Sequence, residues 1–267
     1  MDKKLKLMVA AACIMLALFV FAQKKTKDPA PTPRIEYITI VDLTQKISER
    51  SPNWEGLEKS PFEAKTVGTF DKDGYFAREF TMPEHFSTHI DAPAHFSRGV
   101  WTVDQIPPER LIGPLVLLDV TEQCAANRDY QITLDDLARW EKANQAIPQG
   151  SIVIASTGWA KKFNNMKEYR GAGVDGVMHF PGFSLDAAKF LVDQRGVYAL
   201  GIDTMSIDPG NAANFPVHHY TLPRNIYQIE NVGDLSKVPD SGAIVVAAPM
   251  KLEGGSGAPA RVLALLK

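Results

Sequence analysis

Apolar positions in residues 35–267 fall into short runs with two periods. Ile35, Tyr37 and Thr39 alternate and lead into a short apolar run, which predicts a strand within residues 35–44. Residues 76–80 predict a second. Residues 111–120 (LIGPLVLLDV) and 151–156 (SIVIAS) are too apolar to face water, and their length and branching predict buried strands. Residues 197–202 and 242–248 predict two more. Helical spacing appears twice. Thr133 can cap a helix running to about Ala146, with Asp135 and Asp136 in the first turn, where the helix dipole favours them. Leu134, Leu137 and Ala138 would form its apolar face, and Pro148 and Gly150 end it. Ser184 opens the second helix, Ala187, Phe190 and Leu191 repeat at i, i+3, i+4, and Gly196 stops it. Strands interspersed with two clear helices place the chain in the α/β class, with more sheet than a doubly wound fold. No linker interrupts residues 35–267, which read as one domain.

The start of the chain follows a different pattern. Lys3, Lys4 and Lys6 precede 16 uncharged residues, 7–22, ending in Val20-Phe21-Ala22. A basic start, an apolar stretch and a small residue at the cleavage position make a secretory signal peptide over residues 1–22. The stretch is shorter than the ~20 residues that span hydrocarbon comfortably, so a short membrane anchor is the alternative. Residues 23–34 (QKKTKDPAPTPR) carry three prolines and no apolar period, and read as a linker. The expected location is periplasmic or secreted, with membrane attachment only if the first segment is uncleaved.

Composition narrows the function classes. The chain has 267 residues, 29 Lys+Arg against 31 Asp+Glu, and a formal charge of −2. A broad basic surface for nucleic acid is not expected. With only Cys13 and Cys124, a disulfide framework or a thiolate-rich zinc module is excluded.

The chemistry concentrates in residues 85–95, HFSTHIDAPAH, which hold three of the six histidines and Asp91. His85, His89, Asp91 and His95 all occupy odd positions. In extended chain such positions share one face, so His85, His89 and Asp91 could meet at one point. Pro93 bends the chain, so His95 could stand beside that point. Imidazole and carboxylate suit zinc, manganese or iron, and the lack of thiolates points to a catalytic metal. Further ligands must come from elsewhere: His218 or His219 with Glu230, or Asp203 at the end of a buried strand. Asp208, in Asp208-Pro209-Gly210, reads as turn chemistry.

The segment His85-x-Ser87-Thr88-His89-x-Asp91-Ala92-Pro93-x-His95-Phe96 resembles the HxGTHxDAPxHF motif of the metal-dependent cyclase-type hydrolases, the family of bacterial kynurenine formamidase and isatin hydrolase. Asp42-Leu43-Thr44 with Pro52-Asn53-Trp54, Pro181-Gly182-Phe183-Ser184, Gly201-Ile202-Asp203-Thr204 with Ser206-Ile207-Asp208-Pro209, and Glu230-Asn231 match further family segments in order. The resemblance implies a compact swivelling β/β/α domain with a mixed sheet, in a homo-oligomer. It implies a metal held by His85, His89 and Asp91, and a second ion held by Asp91, His218 and Glu230. His95 would be the catalytic proton shuttle, and Trp54 would bind substrate; the residues alone read Trp54 equally well as core. Ser87 stands where the family has Gly. If that position needs positive φ, serine strains it.

The expected activity is therefore hydrolysis of C–N bonds in small, aromatic amides, with one or two zinc or manganese ions. A divalent ion lowers the pKa of bound water from 15.7 toward ~7, and an imidazole of ordinary pKa ~6.5 can take and return a proton. N-formylkynurenine heads the candidate substrates, followed by isatin-like cyclic amides and lactones. Export argues for a scavenged compound over an internal tryptophan pathway. Cyclisation or dehydration on the same metal, and a non-catalytic envelope binder, are the competing readings.

Overall fold

The two most apolar segments form adjacent parallel strands at the centre of the sheet. The structure, a computed structural model, describes Tyr37 and residues 39–267. The expected signal segment (1–22) and linker (23–34) lie outside the described residues. Tyr37–Lys267 form one compact unit. Its strands are β1 (Thr39–Asp42), β2 (Glu63–Gly68), β3 (Ala77–Thr81), β4 (His89–Asp91), β5 (Ile112–Asp119), β6 (Gln131–Ile132), β7 (Ile152–Ser156), β8 (Gly182–Phe183), β9 (Ala199–Ile202), β10 (Tyr227–Glu230), β11 (Ile244–Pro249) and β12 (Gly257–Leu266). The α-helices are α1 (Phe70–Asp73), α2 (Thr121–Ala126), α3 (Leu134–Asn144), α4 (Met166–Arg170), α5 (Leu185–Arg195) and α6 (Pro216–Thr221). None of them is long and apolar enough to cross a membrane.

Eight strands form a mixed sheet in the order β1-β12-β11-β5-β7-β9-β10-β4, and a further β4–β12 pairing closes seven of them into a barrel. Strands β5, β7, β9 and β10 run parallel to their neighbours in that series, and the remaining pairings are antiparallel. Parallel strands are covered on both faces, and β5 shows how. Leu115 and Leu117 point into the barrel core with Ile152 and Ile154. Val116 and Leu118 point outward, against Leu137 of α3 and Ala187 and Leu191 of α5. Each fully buried aliphatic side chain contributes about 1.5–3 kcal/mol. The first part of β5 departs from expectation: Ile112 and Pro114 are exposed.

Thr133 caps α3 as expected, and Ser184 caps α5 while Gly196 ends it in the left-handed region. The apolar face of α3 differs from the expected one. Leu137 and Trp140 form it, and Leu134 and Ala138 are exposed. The inward place in the first turn goes to Asp136, whose carboxylate accepts from the Thr133 N–H and the Tyr130 hydroxyl. Strand β12, the longest, has no clear signal in the sequence. It begins Gly257-Ala258-Pro259, and a proline argues against a strand. Its first residues pair with β4 and its last with β1.

Candidate active site

Strand β4 has three residues, wedged between β10 and β12. The register sets Glu230 opposite His89 and Gln228 opposite Asp91. Ile90 and Ile229 turn into the barrel core. Alternation therefore sends His89, Asp91 and Glu230 to the other side of the wall together. His85 precedes β4 and packs on Gly257, where a Cβ would lie 2.6 Å from its Cε1. His218 arrives from α6. The Asp208 carboxylate fixes that helix start by accepting from the Val217 and His218 N–H groups, at 2.8 and 3.1 Å.

Five donors from three separate stretches thus converge. Asp91 is the hub: its Oδ1 lies 2.6 Å from His85 Nδ1 and 3.0 Å from His89 Nε2, and its Oδ2 lies 3.2 Å from His218 Nε2. Glu230 lies 3.5 Å from His89 Nε2 through Oε2 and 3.4 Å from His218 Nε2 through Oε1. Two triads result, His85–His89–Asp91 and Asp91–His218–Glu230, each with its ligand atoms within 4.8 Å of one another. All but His85 are buried.

The outer partners decide which nitrogens face inward. His89 Nδ1 donates to the Ser87 carbonyl at 2.9 Å, and His218 Nδ1 donates to Asp208 at 2.6 Å. Ser256 donates its hydroxyl to Glu84, so His85 Nε2 donates to the Ser256 oxygen at 2.9 Å. In the neutral tautomers so selected, all three inward nitrogens carry lone pairs aimed at carboxylates. Acceptors facing acceptors in a buried site call for cationic charge among them, and that donor set fits a divalent ion.

The protonation energetics report the same demand. Burial alone would push the His89 imidazole down, but Asp91 and Glu230 outweigh it and hold the ring up at about 9. His218 is likewise raised, against burial, by Asp208, Asp91 and Glu230. Asp91 is held well below the usual carboxylate range, the three imidazoles overcoming its burial. Glu230 is raised by burial and by the Asp91 charge.

His95 sits on a 3₁₀ turn, Pro93–His95, with its ring stacked on His85 at 3.9 Å between centroids. It stands beside the donors and belongs to neither triad. Its ring is exposed to the cavity, and partial desolvation together with the His85, His218 and His89 imidazoles lowers it from the ordinary value assumed from sequence, which favours the neutral ring at neutral pH. A cavity of about 380 Å³ opens over the donors, and Trp54, Phe86, Phe96, Phe215 and Ser87 line it. Trp54, 38% exposed, lines this cavity and packs edge-on against the buried Phe180. Ser87 has φ 58°, the left-handed conformation in which serine is strained where the family motif has Gly.

His218, not His219, faces the carboxylates; the His219 ring lies 5.0 Å from Phe96. Asp208 departs from the turn role expected for it: it is fully buried and orients His218. Asp203, left open by the sequence, accepts from Thr157 and the Ala160 N–H, away from the donors. Ser256, Glu84 and Phe215 carry no sequence signal for a role here, because their relation to the site is through space. His179 pairs with Asp129.

Residues 41–209 match the family model described as "Putative cyclase". The chain is 31% identical to isatin hydrolase of Roseibium aggregatum over 86% of this chain and 92% of that protein. It is 25% identical to kynurenine formamidase of Salinibacter ruber over 85% and 97%. The structure superposes on isatin hydrolase A from Ralstonia solanacearum with a TM-score of 0.79 and 32% identity, covering 86% of this chain and 92% of the other. The match extends through the fold and reaches the motif that carries the donors: this chain belongs to the cyclase family.

Proposed function

We propose that the protein is a divalent-metal-dependent hydrolase that opens C–N bonds in small aromatic amides, of the arylformamidase or the isatin-like cyclic-amide type. The observation that carries this reading is the pair of triads sharing Asp91. His85, His89 and Asp91 would hold one ion, and Asp91, His218 and Glu230 a second. Zinc and manganese both suit such nitrogen and oxygen donors. When bound, a divalent ion supplies a Lewis acid and lowers the pKa of a bound water.

The rest is done by the chain itself. Ser256, the Ser87 carbonyl and Asp208 keep the three imidazoles pointing inward, and the Ile207 N–H holds Glu230 Oε1 at 2.9 Å. His95, neutral at rest, takes a proton from the attacking water at a ring nitrogen. It then returns that proton to the amide nitrogen, which leaves poorly unless protonated. Trp54 offers the substrate ring a flat apolar face.

The test is elemental analysis of purified protein together with a hydrolysis screen of N-formylkynurenine, isatin, formanilides and lactones, before and after chelation. The expected result is stoichiometric metal and amide hydrolysis that chelation abolishes and metal restores. Activity that survives complete metal removal, or metal-loaded protein inert on every substrate, sinks the reading. The greater identity to isatin hydrolase puts cyclic amides first in the screen.

Export through residues 1–22 belongs to the same reading, supported by the basic start and the uncharged stretch after it. N-terminal sequencing of protein recovered from the cell envelope checks it. A homo-oligomer is expected from the family resemblance, and light scattering of the purified protein tests that.

A further inference from the structure

The charge on the cavity wall bears on which amides can enter. Among the described residues, the cavity is lined by no Lys or Arg. Apart from the donors and His95, Glu55 is its one titratable wall residue. Glu55 follows Trp54 at the rim, is exposed, and has no ion-pair partner among the described residues. The nearby polar groups are already engaged. Both ends of the Asn53 amide bond the Leu57 backbone, at 2.8 and 3.1 Å. The Arg170 guanidinium does not line the cavity and donates to the Trp54 carbonyl at 2.9 and 3.1 Å.

The same rim is aromatic. Trp54 and Phe215 lie 5.9 Å apart, and Phe215 and Phe96 5.7 Å apart. Phe215 is held at φ 46°, in the left-handed region, where a bulky residue is an outlier. A planar ring gains apolar contact in such a rim. An anionic group on that ring would lose its hydration, meet the Glu55 carboxylate and find no Lys or Arg on the cavity wall.

Resting on the hydrolase reading above, we propose that Glu55 makes the site reject planar aromatic amides bearing an anionic group away from the scissile bond, so that neutral amides are taken ahead of N-formylkynurenine, whose carboxylate is such a group. Glu55 is a specificity-determining residue; the chemistry at the donors does not use it. One unit charge at ~7 Å in a wet rim changes binding about 5-fold.

The experiment compares kcat/KM of the metal-loaded protein for formanilide against 4-formamidobenzoate and for isatin against isatin-5-sulfonate. A second arm measures binding of acetanilide and 4-acetamidobenzoate to metal-free protein by ligand-observed NMR. The neutral member of each pair is expected to be favoured about 10-fold. Glu55→Gln should narrow that ratio about 5-fold, Glu55→Lys should reverse it, and 0.5 M NaCl should narrow it in the unmodified protein. Equal use of neutral and anionic members, or a preference unmoved by both variants and by salt, overturns the proposal. If no amide is hydrolysed, the hydrolase reading fails, and the binding arm still decides whether Glu55 selects by charge.

Discussion

His89, Asp91, His218 and Glu230 are buried on β4, β10 and the start of α6, and His89, His218 and Glu230 are each held by a partner outside the donor set. Trp54 and Glu55, which line the same cavity, are exposed on a turn. The wall is constrained by strand register and by hydrogen bonds whose direction selects each tautomer. The rim is constrained by a few backbone contacts, chiefly those of Asn53 and Arg170. On the proposed reading, reaction chemistry would sit where geometry cannot drift, and substrate choice where a side chain can change without disturbing the barrel.

The sharpest way to break this contrast is within the wall. His89→Ala should remove metal and activity together, a loss of at least 10³-fold in kcat/KM. His95→Ala should keep the metal and lose about 10²–10⁴-fold in turnover. Elemental analysis beside kinetics separates them: equal metal loss in both variants makes His95 a ligand and ends its role as shuttle. Asp208→Asn tests whether the partners outside the donors matter. It should weaken metal affinity about 10–100-fold, measured by chelator competition. Affinity equal to that of the unmodified protein would reduce Asp208 to a helix cap.

At the rim, Trp54→Ala should raise KM about 10-fold while leaving metal content unchanged. Loss of metal in this variant would show that wall and rim are not separable. The smallest effect is expected at Ser87. Ser87→Gly relieves a left-handed conformation that costs of order 1 kcal/mol, and its hydroxyl loses only a 3.4 Å contact to the Gln45 carbonyl. Denaturant unfolding should show a gain of about 1 kcal/mol. A loss there would mean that the hydroxyl stabilises more than the backbone strain costs.

The histidine segment was legible because its donors lie close in sequence and β4 keeps their parity. The residues alone offer His218 or His219 with Glu230 as further ligands, and the match to a family pattern selects His218; nothing local to either shows that they face Asp91. Asp208 was misread because Asp-Pro-Gly is a sufficient turn signal by itself, and its second task is set by an α6 that packs 10 residues on. Strand β12 was invisible because Pro259 contradicts the local rule, and only closure of the barrel against β4 makes its place. Leu134 misled because a helical period says which residues share a stripe but not which of them the sheet covers.

From the amino-acid order alone came the central strands, both long helices with their caps, the α/β class, and an imidazole–carboxylate metal segment. Those are decided over a few residues, by side-chain period, branching and capping chemistry. The closed sheet, the register that sets Glu230 against His89, the tautomers chosen by Ser256, Ser87 and Asp208, and the downward push on His95 came only from the tertiary structure. Apart from the Ser87 carbonyl, two residues from His89, each depends on burial and on partners 10 to 171 residues apart in the chain, distances over which local preference carries no information.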